Sequence, residues 1–174
     1  MRIALLAATA AAAFLGGCGG PETKPTANAS TTTNGMVMLA AAPNKDQALK
    51  IMKIRHDGME ALGKAMKTLH RALDASPPDI VTIRAQTSAM AVAATKIPAL
   101  FPPGTGPDVG KTRARAEIWQ KSNVFLQKSK EFLVAAQAID AAAKAGDVNK
   151  VMALHDNVDK ACDGCHKPFR APEH

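Results

Sequence analysis

Hydrophobic side chains recur every three or four residues through most of the chain after residue 45, which is the spacing of one face of a helix. Between residues 45 and 73 the repeat is unbroken, and its members are Ala48, Met52, Arg55, Met59, Leu62, Met66, Leu69 and Leu73. Arg55 is the only charged member of this stripe, so we expect it to need a partner inside the fold. The pattern predicts a first, long amphipathic helix.

A second stripe follows, from Ile80 to Ile97, and Pro98 is expected to end it. The two prolines of "SPPDI" are predicted to take the first helical positions after Ser76, where a missing amide hydrogen costs little. Residues 98 to 112 contain several prolines and glycines without a hydrophobic period, so they are predicted to form a loop.

Two more stripes complete the pattern, one from Ile118 to Ala143 and one from Val148 to Cys165. Gly146 is expected to cap the end of the third helix, and Asp147 to cap the start of the fourth. Four amphipathic helices with no strand pattern predict an all-α fold, an antiparallel four-helix bundle over residues 44 to 174.

The N-terminal part of the chain has a different character. Residues 1 to 17 have an early charge, an apolar run and small residues, which is the layout of a secretory signal peptide too short to span a membrane. They end in "LGGC", which resembles a bacterial lipobox and predicts lipid attachment at Cys18; the alternative is cleavage after Ala42, with Cys18 discarded. Residues 18 to 43 are predicted to be a flexible linker. In both cases the protein is expected to be exported, and lipidation would anchor it to a membrane in the periplasm.

Aromatic side chains are scarce in the chain. Its 174 residues include one Trp, five Phe and no Tyr, although 47% of the residues are hydrophobic. Large aromatic rings normally fill much of a protein interior. The thin, alanine-rich stripes therefore suggest that a non-protein group supplies bulk, most plausibly near the last helix.

The distribution of charge along the chain indicates which kinds of partner the protein is expected to bind. The formal net charge is +7, but the basic residues are spread along the helices and no aromatic residues lie among them. Nucleic-acid binding would be expected to show a basic stripe or a known motif. The charge instead favours partner proteins with acidic surfaces.

The motif with the most specific chemistry is "KACDGCHKPFR", residues 160 to 170. Cys162 and Cys165 are three residues apart and therefore share a helix face, and His166 follows about one turn after Cys162. Two thiols can add to the two vinyl groups of a haem while the imidazole reaches the iron. C-x-x-C-H is for this reason the attachment signature of c-type haem.

Other readings of the motif are weaker. A structural zinc site needs four ligands, and beyond this motif only His155 or His174 lies nearby. A thioredoxin-like dithiol needs a βαβ context, and a disulfide at this spacing would have to close across one helical turn. Haem also accounts for the cysteine count, because lipid on Cys18 and two thioethers leave no free thiol in an oxidising compartment.

From about residue 45 to residue 171 the sequence resembles the cytochrome c prime family, the class II c-type cytochromes. The resemblance rests on "CDGCHKPFR", on "FPPGTG" and "AEIW" around the start of the third helix, and on "AAKAGDVNKV" before the fourth. It implies one haem c attached through Cys162 and Cys165, with His166 as the proximal iron ligand. It also implies that Arg55 and Arg170 lie near the haem, Arg55 beside a propionate.

The resemblance makes position 59, four residues after Arg55, informative. High-spin family members carry a non-ligating residue there, whereas a low-spin, electron-transferring branch carries a methionine bound to iron. Met59 therefore predicts a His/Met-ligated electron carrier rather than an enzyme. One alternative is a five-coordinate protein that binds NO or CO, with Met59 packing like Met52 and Met66. The other is a haem-free interaction or metal-binding lipoprotein. Relatives often dimerise through their first two helices, so a homodimer is also expected.

Overall fold

The computed structural model describes residues 42–172, and within that range the chain forms α-helices and no strand longer than an isolated bridge. The predicted four-helix bundle is confirmed. The signal peptide, most of the linker, Cys18 and His174 lie outside the described residues. The helices are α1 (Lys45–Asp74), α2 (Ile80–Lys96), α3 (Glu117–Gln120), α4 (Ser122–Lys144) and α5 (Val148–Phe169), with a 3₁₀ turn at Pro98–Leu100. No helix in the described range is long and apolar enough to cross a membrane.

Side chains fix where these helices begin and end. Asn44 and Gln47 form a reciprocal capping box at the start of α1, with each side chain bonded to the other residue's backbone amide. Asp147 accepts a hydrogen bond from the amide of Lys150 and starts α5, as the sequence predicts. Gly146 has φ +78°, a left-handed conformation that suits glycine after a helix end. The turn between α4 and α5 is thus encoded locally.

Three boundaries differ from the prediction. The prolines after Ser76 precede α2 rather than starting it, because Asp79 caps the helix by accepting hydrogen bonds from two later amides. The third helix breaks at Lys121 into short α3 and long α4. Pro168 lacks an amide hydrogen and predicts an end of the last helix soon after His166, but α5 continues to Phe169.

The persistence of α5 past Pro168 has a local explanation. A proline in the last turn removes only one helical hydrogen bond. The amide of Arg170 still donates to the carbonyl of His166 at 2.9 Å, and the chain beyond it pairs with the segment before α3 through a bridge between Ala114 and Arg170. Pairing with the segment before α3 therefore stabilises the C-terminal end of α5.

The four long helices are arranged in a ring with one open side. α1 packs along α2, α2 along α4, and α4 along α5, whereas within the described residues the backbones of α1 and α5 come close at few positions. Both of these helices carry partly buried side chains that pack against the core; they are Met59, Leu62 and Met66 on α1 and Ala161, Cys162 and Cys165 on α5. We call the space between α1 and α5 the crevice.

The few aromatic residues are concentrated at one end of the bundle. Phe101 packs against Trp119 and Phe125, with ring centroids 6.4 and 4.7 Å away, and Phe125 meets Phe169 edge to face at 5.5 Å. Phe169 is three residues after His166 on α5. The aromatic cluster therefore lies next to the C-x-x-C-H motif and stiffens the end of the bundle that bears it.

Candidate haem site

The two motif cysteines face inward from α5 at the edge of the crevice. Both are half-buried free thiols that pack against the hydrophobic core. Burial, together with the carboxylates of Asp159 and Asp163, raises the pKa of the Cys162 thiol to about 11. Burial also raises the pKa of Cys165. Both thiols are therefore protonated at neutral pH, and neither is used in a disulfide.

His166 sits beside them in a half-buried position. Burial lowers the pKa of its imidazole, and the nearby positive charge of Arg170 lowers it further. A lowered pKa favours the neutral ring, and a neutral imidazole nitrogen is the form that binds a metal. The motif thus presents a ligand-ready imidazole next to two inward-facing thiols.

A contact between two histidine rings shows the register of α1 against α5. The centroids of His70 on α1 and His155 on α5 are 5.5 Å apart. His166 lies eleven residues after His155, and Met59 lies eleven residues before His70. Eleven residues are about three full helical turns, or about 16 Å. Because the two helices are antiparallel, Met59 and His166 therefore occupy the same level of the bundle. Met59 also lines the open groove between α1 and α2.

A second link near the other end of the crevice agrees with this register. Arg55 on α1 donates a hydrogen bond to the hydroxyl of Thr112 at 3.1 Å, and the same hydroxyl accepts the amide of Ala114 at 3.1 Å. Ala114 in turn forms the bridge with Arg170 after α5. Arg55 and Arg170 are thus brought to the same end of the crevice, with Arg55 buried and Arg170 exposed.

The surroundings of Arg55 are unusual for a buried charge. Its side chain is 3% exposed, and its guanidinium donates to the carbonyl of Thr105 at 3.0 Å and to the Thr105 hydroxyl at 3.2 Å. It also lies over the rings of Phe101 and Trp119, at 4.8 and 5.8 Å from their centroids. Burial lowers the pKa of Arg55 to about 10.

All of these partners are neutral. Among residues 42–172, no carboxylate forms a salt bridge with Arg55 at the distances seen for the other ion pairs. A buried cation is stabilised most by an anion, since neutral acceptors only partly replace the water it has lost. The site therefore fits an additional anionic group such as a haem propionate.

Replacing Arg55 with alanine should destabilise the protein by about 3 kcal/mol, because buried acceptors on Thr105 and Thr112 would lose their donor. Urea unfolding followed by the fluorescence of Trp119 measures this change. Lys50 is the control, because it is exposed on the same helix and its alanine variant should stay within about 0.5 kcal/mol of the wild type. Equal stability of the two variants would show that the Arg55 contacts contribute little.

The described residues fit a single covalently bound haem. Two adjacent inward-facing thiols, a neutral imidazole, a gap between two helices and a buried cation without an acidic partner are the groups that haem c requires. The fold and the site together define a c-type cytochrome built on a four-helix bundle.

Comparison with known proteins gives the family. Residues 50–170 match the model of the family described as cytochrome C′. The chain is 30% identical over 119 residues to the cytochrome c′ of Pararhodospirillum photometricum, covering 68% of this chain and 94% of that protein. The chain belongs to the cytochrome c′ family, whose members carry one covalently bound haem c.

Solved structures share the fold. One is a cytochrome c′ described as having ligand-controlled dimer dissociation; it has a TM-score of 0.67 and 26% identity, covering 72% of this chain and 97% of that one. Another is the nitric oxide complex of a leucine-to-isoleucine variant of cytochrome c′ from Alcaligenes xylosoxidans, with a TM-score of 0.64 and 26% identity, covering 75% and 99%. These comparisons support the family, but they do not support its methionine-ligated branch.

Sequence reasoning missed several residues that shape the site. The partners of Arg55, Thr105 and Thr112, lie in the loop predicted only as irregular, and nothing in their spacing points to a buried arginine. The contact between His70 and His155 was missed too. His155 stands on the apolar stripe of α5, which was the available signal, but His70 lies on the polar side of α1.

Proposed function

We propose that this protein is a single-electron carrier in which His166 and Met59 are the two axial ligands of a covalently attached haem. The observation that carries the proposal is the helix register, since it brings the Met59 position level with His166 across the crevice. Met59 is partly buried and belongs to the side chains that pack against the core. Its thioether is a soft donor suited to haem iron.

Each residue has a distinct part in this function. Cys162 and Cys165 would hold the group by thioether bonds, and Arg55 would neutralise a propionate. When bound, the haem supplies a one-electron iron couple. His/Met ligation raises the reduction potential of that couple. The net charge of +7 supports encounters with partner proteins that have acidic surfaces.

Optical and electron paramagnetic resonance spectra of the oxidised, purified protein test the proposal directly. A low-spin spectrum with the weak charge-transfer band of a methionine–iron bond is the expected result. A high-spin, five-coordinate spectrum would contradict Met59 as a ligand. The same two spectra would then favour the second function below.

The second candidate is binding of a diatomic gas such as NO or CO at an open distal site. The comparisons favour this function over electron transfer: members of the family are typically five-coordinate and high-spin, and the Alcaligenes xylosoxidans relative is a nitric oxide complex. In this case Met59 would pack over the distal side without a bond to iron. A methionine at position 59 thus favours electron transfer, whereas the usual properties of the family favour gas binding. The spectra distinguish these two functions.

The protein is also proposed to form a homodimer through α1 and α2. An open apolar groove runs between these helices, and its lining includes Ile54 and Val92, which are 51% and 55% exposed. The relative with ligand-controlled dimer dissociation supports such an assembly. An apolar groove of this kind is normally covered by a partner.

Changing Val92 to aspartate should therefore convert the dimer to a monomer, because each interface would bury a carboxylate. Sedimentation equilibrium measures the mass, and the visible spectrum checks that the haem is retained. Val134 on α4 is 57% exposed and provides the matched control; its aspartate variant should remain dimeric. A wild-type protein that is monomeric at all concentrations would rule out this interface.

Export and anchoring remain predictions from the sequence. We propose a periplasmic protein tethered by lipid on Cys18, with residues 18 to 43 as the tether. A tether of this composition would allow the bundle to move along and above the membrane surface.

A further inference from the structure

The pair of His70 and His155 lies away from the haem ligands, and neither ring is assigned to the haem in the function proposed above. His70 is on the surface of α1, with its side chain 64% exposed, whereas the side chain of His155 on α5 is 14% exposed. The ring planes are inclined by 37° at a centroid distance of 5.5 Å. The two imidazoles thus meet across the crevice, about three turns from His166.

Each ring has one nitrogen directed to a carboxylate and the other nitrogen left over. Nδ1 of His155 lies 3.6 Å from Asp159 and 4.0 Å from Asp156, and Nε2 of His70 lies 3.4 Å from Asp74. Nε2 of His155 is buried and has no hydrogen-bond partner in the described structure. A buried polar atom without a partner is costly, so its place in the fold calls for an explanation.

We propose that His70 and His155 bind one divalent transition-metal ion of the zinc, nickel and copper group between them. Imidazole nitrogen is a preferred ligand of these ions. A histidine that binds metal through one nitrogen usually donates the other N–H to a carboxylate. The carboxylate of Asp159 lies on that side of His155, 3.6 Å from Nδ1. The buried Nε2 of His155 then has a partner.

The spacing of the rings is compatible with a shared ion. With metal–nitrogen bonds of about 2.0–2.1 Å and a tetrahedral angle, two imidazoles on one metal have centroids about 5 Å apart. The observed centroid distance is 5.5 Å. No three His, Cys, Asp or Glu side chains in residues 42–172 are grouped as a complete ligand set. Water would therefore fill the remaining positions of this two-histidine site.

The local charge favours a cation. Asp74, Asp156 and Asp159 all lie within 4.0 Å of a ring nitrogen of the pair. The ion would join α1 to α5, the two helices with the fewest backbone contacts among ring neighbours. Binding should therefore stabilise the folded state, since an unfolded chain does not hold the two rings together.

The chain offers a matched control for this site. His56 on α1 has its Nε2 3.4 Å from Glu60, which repeats the arrangement of His70 with Asp74 about four turns earlier on the same helix. Within the described range no second imidazole faces His56. Any effect of a lone surface histidine beside a carboxylate should therefore appear equally at His56 and His70.

Thermal unfolding of the untagged holoprotein, with and without Zn²⁺, tests the proposal. We expect Zn²⁺ to raise Tm by about 5 °C in the wild type and in His56→Ala, and the chelator EDTA to reverse the shift. His70→Ala should lose the shift, and because His70 is exposed, this variant should fold normally. A shift that survives in His70→Ala, or no shift in the wild type, would overturn the proposal.

Chemical modification provides a second readout that does not depend on stability. Diethyl pyrocarbonate should modify His70 in the metal-free holoprotein, and mass spectrometry should show at least about fivefold protection of His70 by Zn²⁺. His56 should be modified equally with and without the ion. Equal protection of both histidines would mean nonspecific surface binding and would contradict a shared site.

Discussion

Replacing Cys162 and Cys165 together with serine should abolish covalent haem attachment completely. Serine hydroxyls do not form the thioether bonds that c-type haem needs, and His166 alone cannot hold the group irreversibly. Intact-mass spectrometry of the mature chain and a haem stain after denaturing electrophoresis both measure the result. The effect is the largest expected for any pair of substitutions, because it removes the bulk that the open side of the bundle is shaped to hold.

The third cysteine provides the control for this experiment. Cys18→Ser should leave haem attachment intact, because Cys18 belongs to the predicted lipid site rather than to the C-x-x-C-H motif. Covalent haem in the double variant would contradict the assigned role of Cys162 and Cys165. Loss of haem in Cys18→Ser alone would instead indicate that export or anchoring is required before attachment.

Replacing Met59 with leucine should convert a low-spin haem to a high-spin one and open the distal site to CO. Leucine has similar volume, so the packing cost should stay under about 1.5 kcal/mol. Carbon monoxide would no longer compete with a methionine bond, and we expect its affinity to rise at least about tenfold, which corresponds to about 1.4 kcal/mol. Difference spectra of the reduced protein, titrated with CO, measure the change.

Met66→Leu is the matched control, because Met66 lies seven residues further along the same stripe and is also partly buried. Its spectrum and CO affinity should equal those of the wild type. If Met59→Leu also leaves both unchanged, Met59 is a packing residue and gas binding becomes the better function. The attached haem would be unaffected by that outcome, so the family assignment would stand.

Most of the fold could be predicted from the sequence because its signals are local and repeated. The stripe of α1 runs from Ala48 to Leu73, about seven turns, without interruption. The caps at Asp147 and Gly146 involve neighbouring residues. Hydrophobic period and capping chemistry act over a few residues and are visible in a single sequence. The order of the four long helices followed from them.

The predicted and observed structures differ where contacts between residues far apart in the sequence determine the local structure. Pro168 predicts the end of a helix, but α5 continues past it to Phe169, where the chain pairs with the segment around Ala114. Arg55 was recognised as needing a partner, yet its partners are 50 and 57 residues away in a loop without a pattern. Such contacts depend on how the loop folds back, and no local spacing encodes them.

The residues of the candidate site also fall into two groups, those that local sequence reveals and those that it does not. Cys162, Cys165 and His166 are a contiguous motif whose chemistry needs no tertiary information. Met59 could be chosen only by resemblance, because Met52 and Met66 share its stripe. The structure adds the register of the helices, since the contact of His70 with His155 shows that Met59 lies at the same level of the bundle as His166.

The burial of the two thiols has a consequence for the order of events in biogenesis. In the packed bundle Cys162 and Cys165 face inward, and their raised pKa keeps them in the unreactive protonated form. We therefore expect the cofactor to be joined to them before α5 packs against its neighbours.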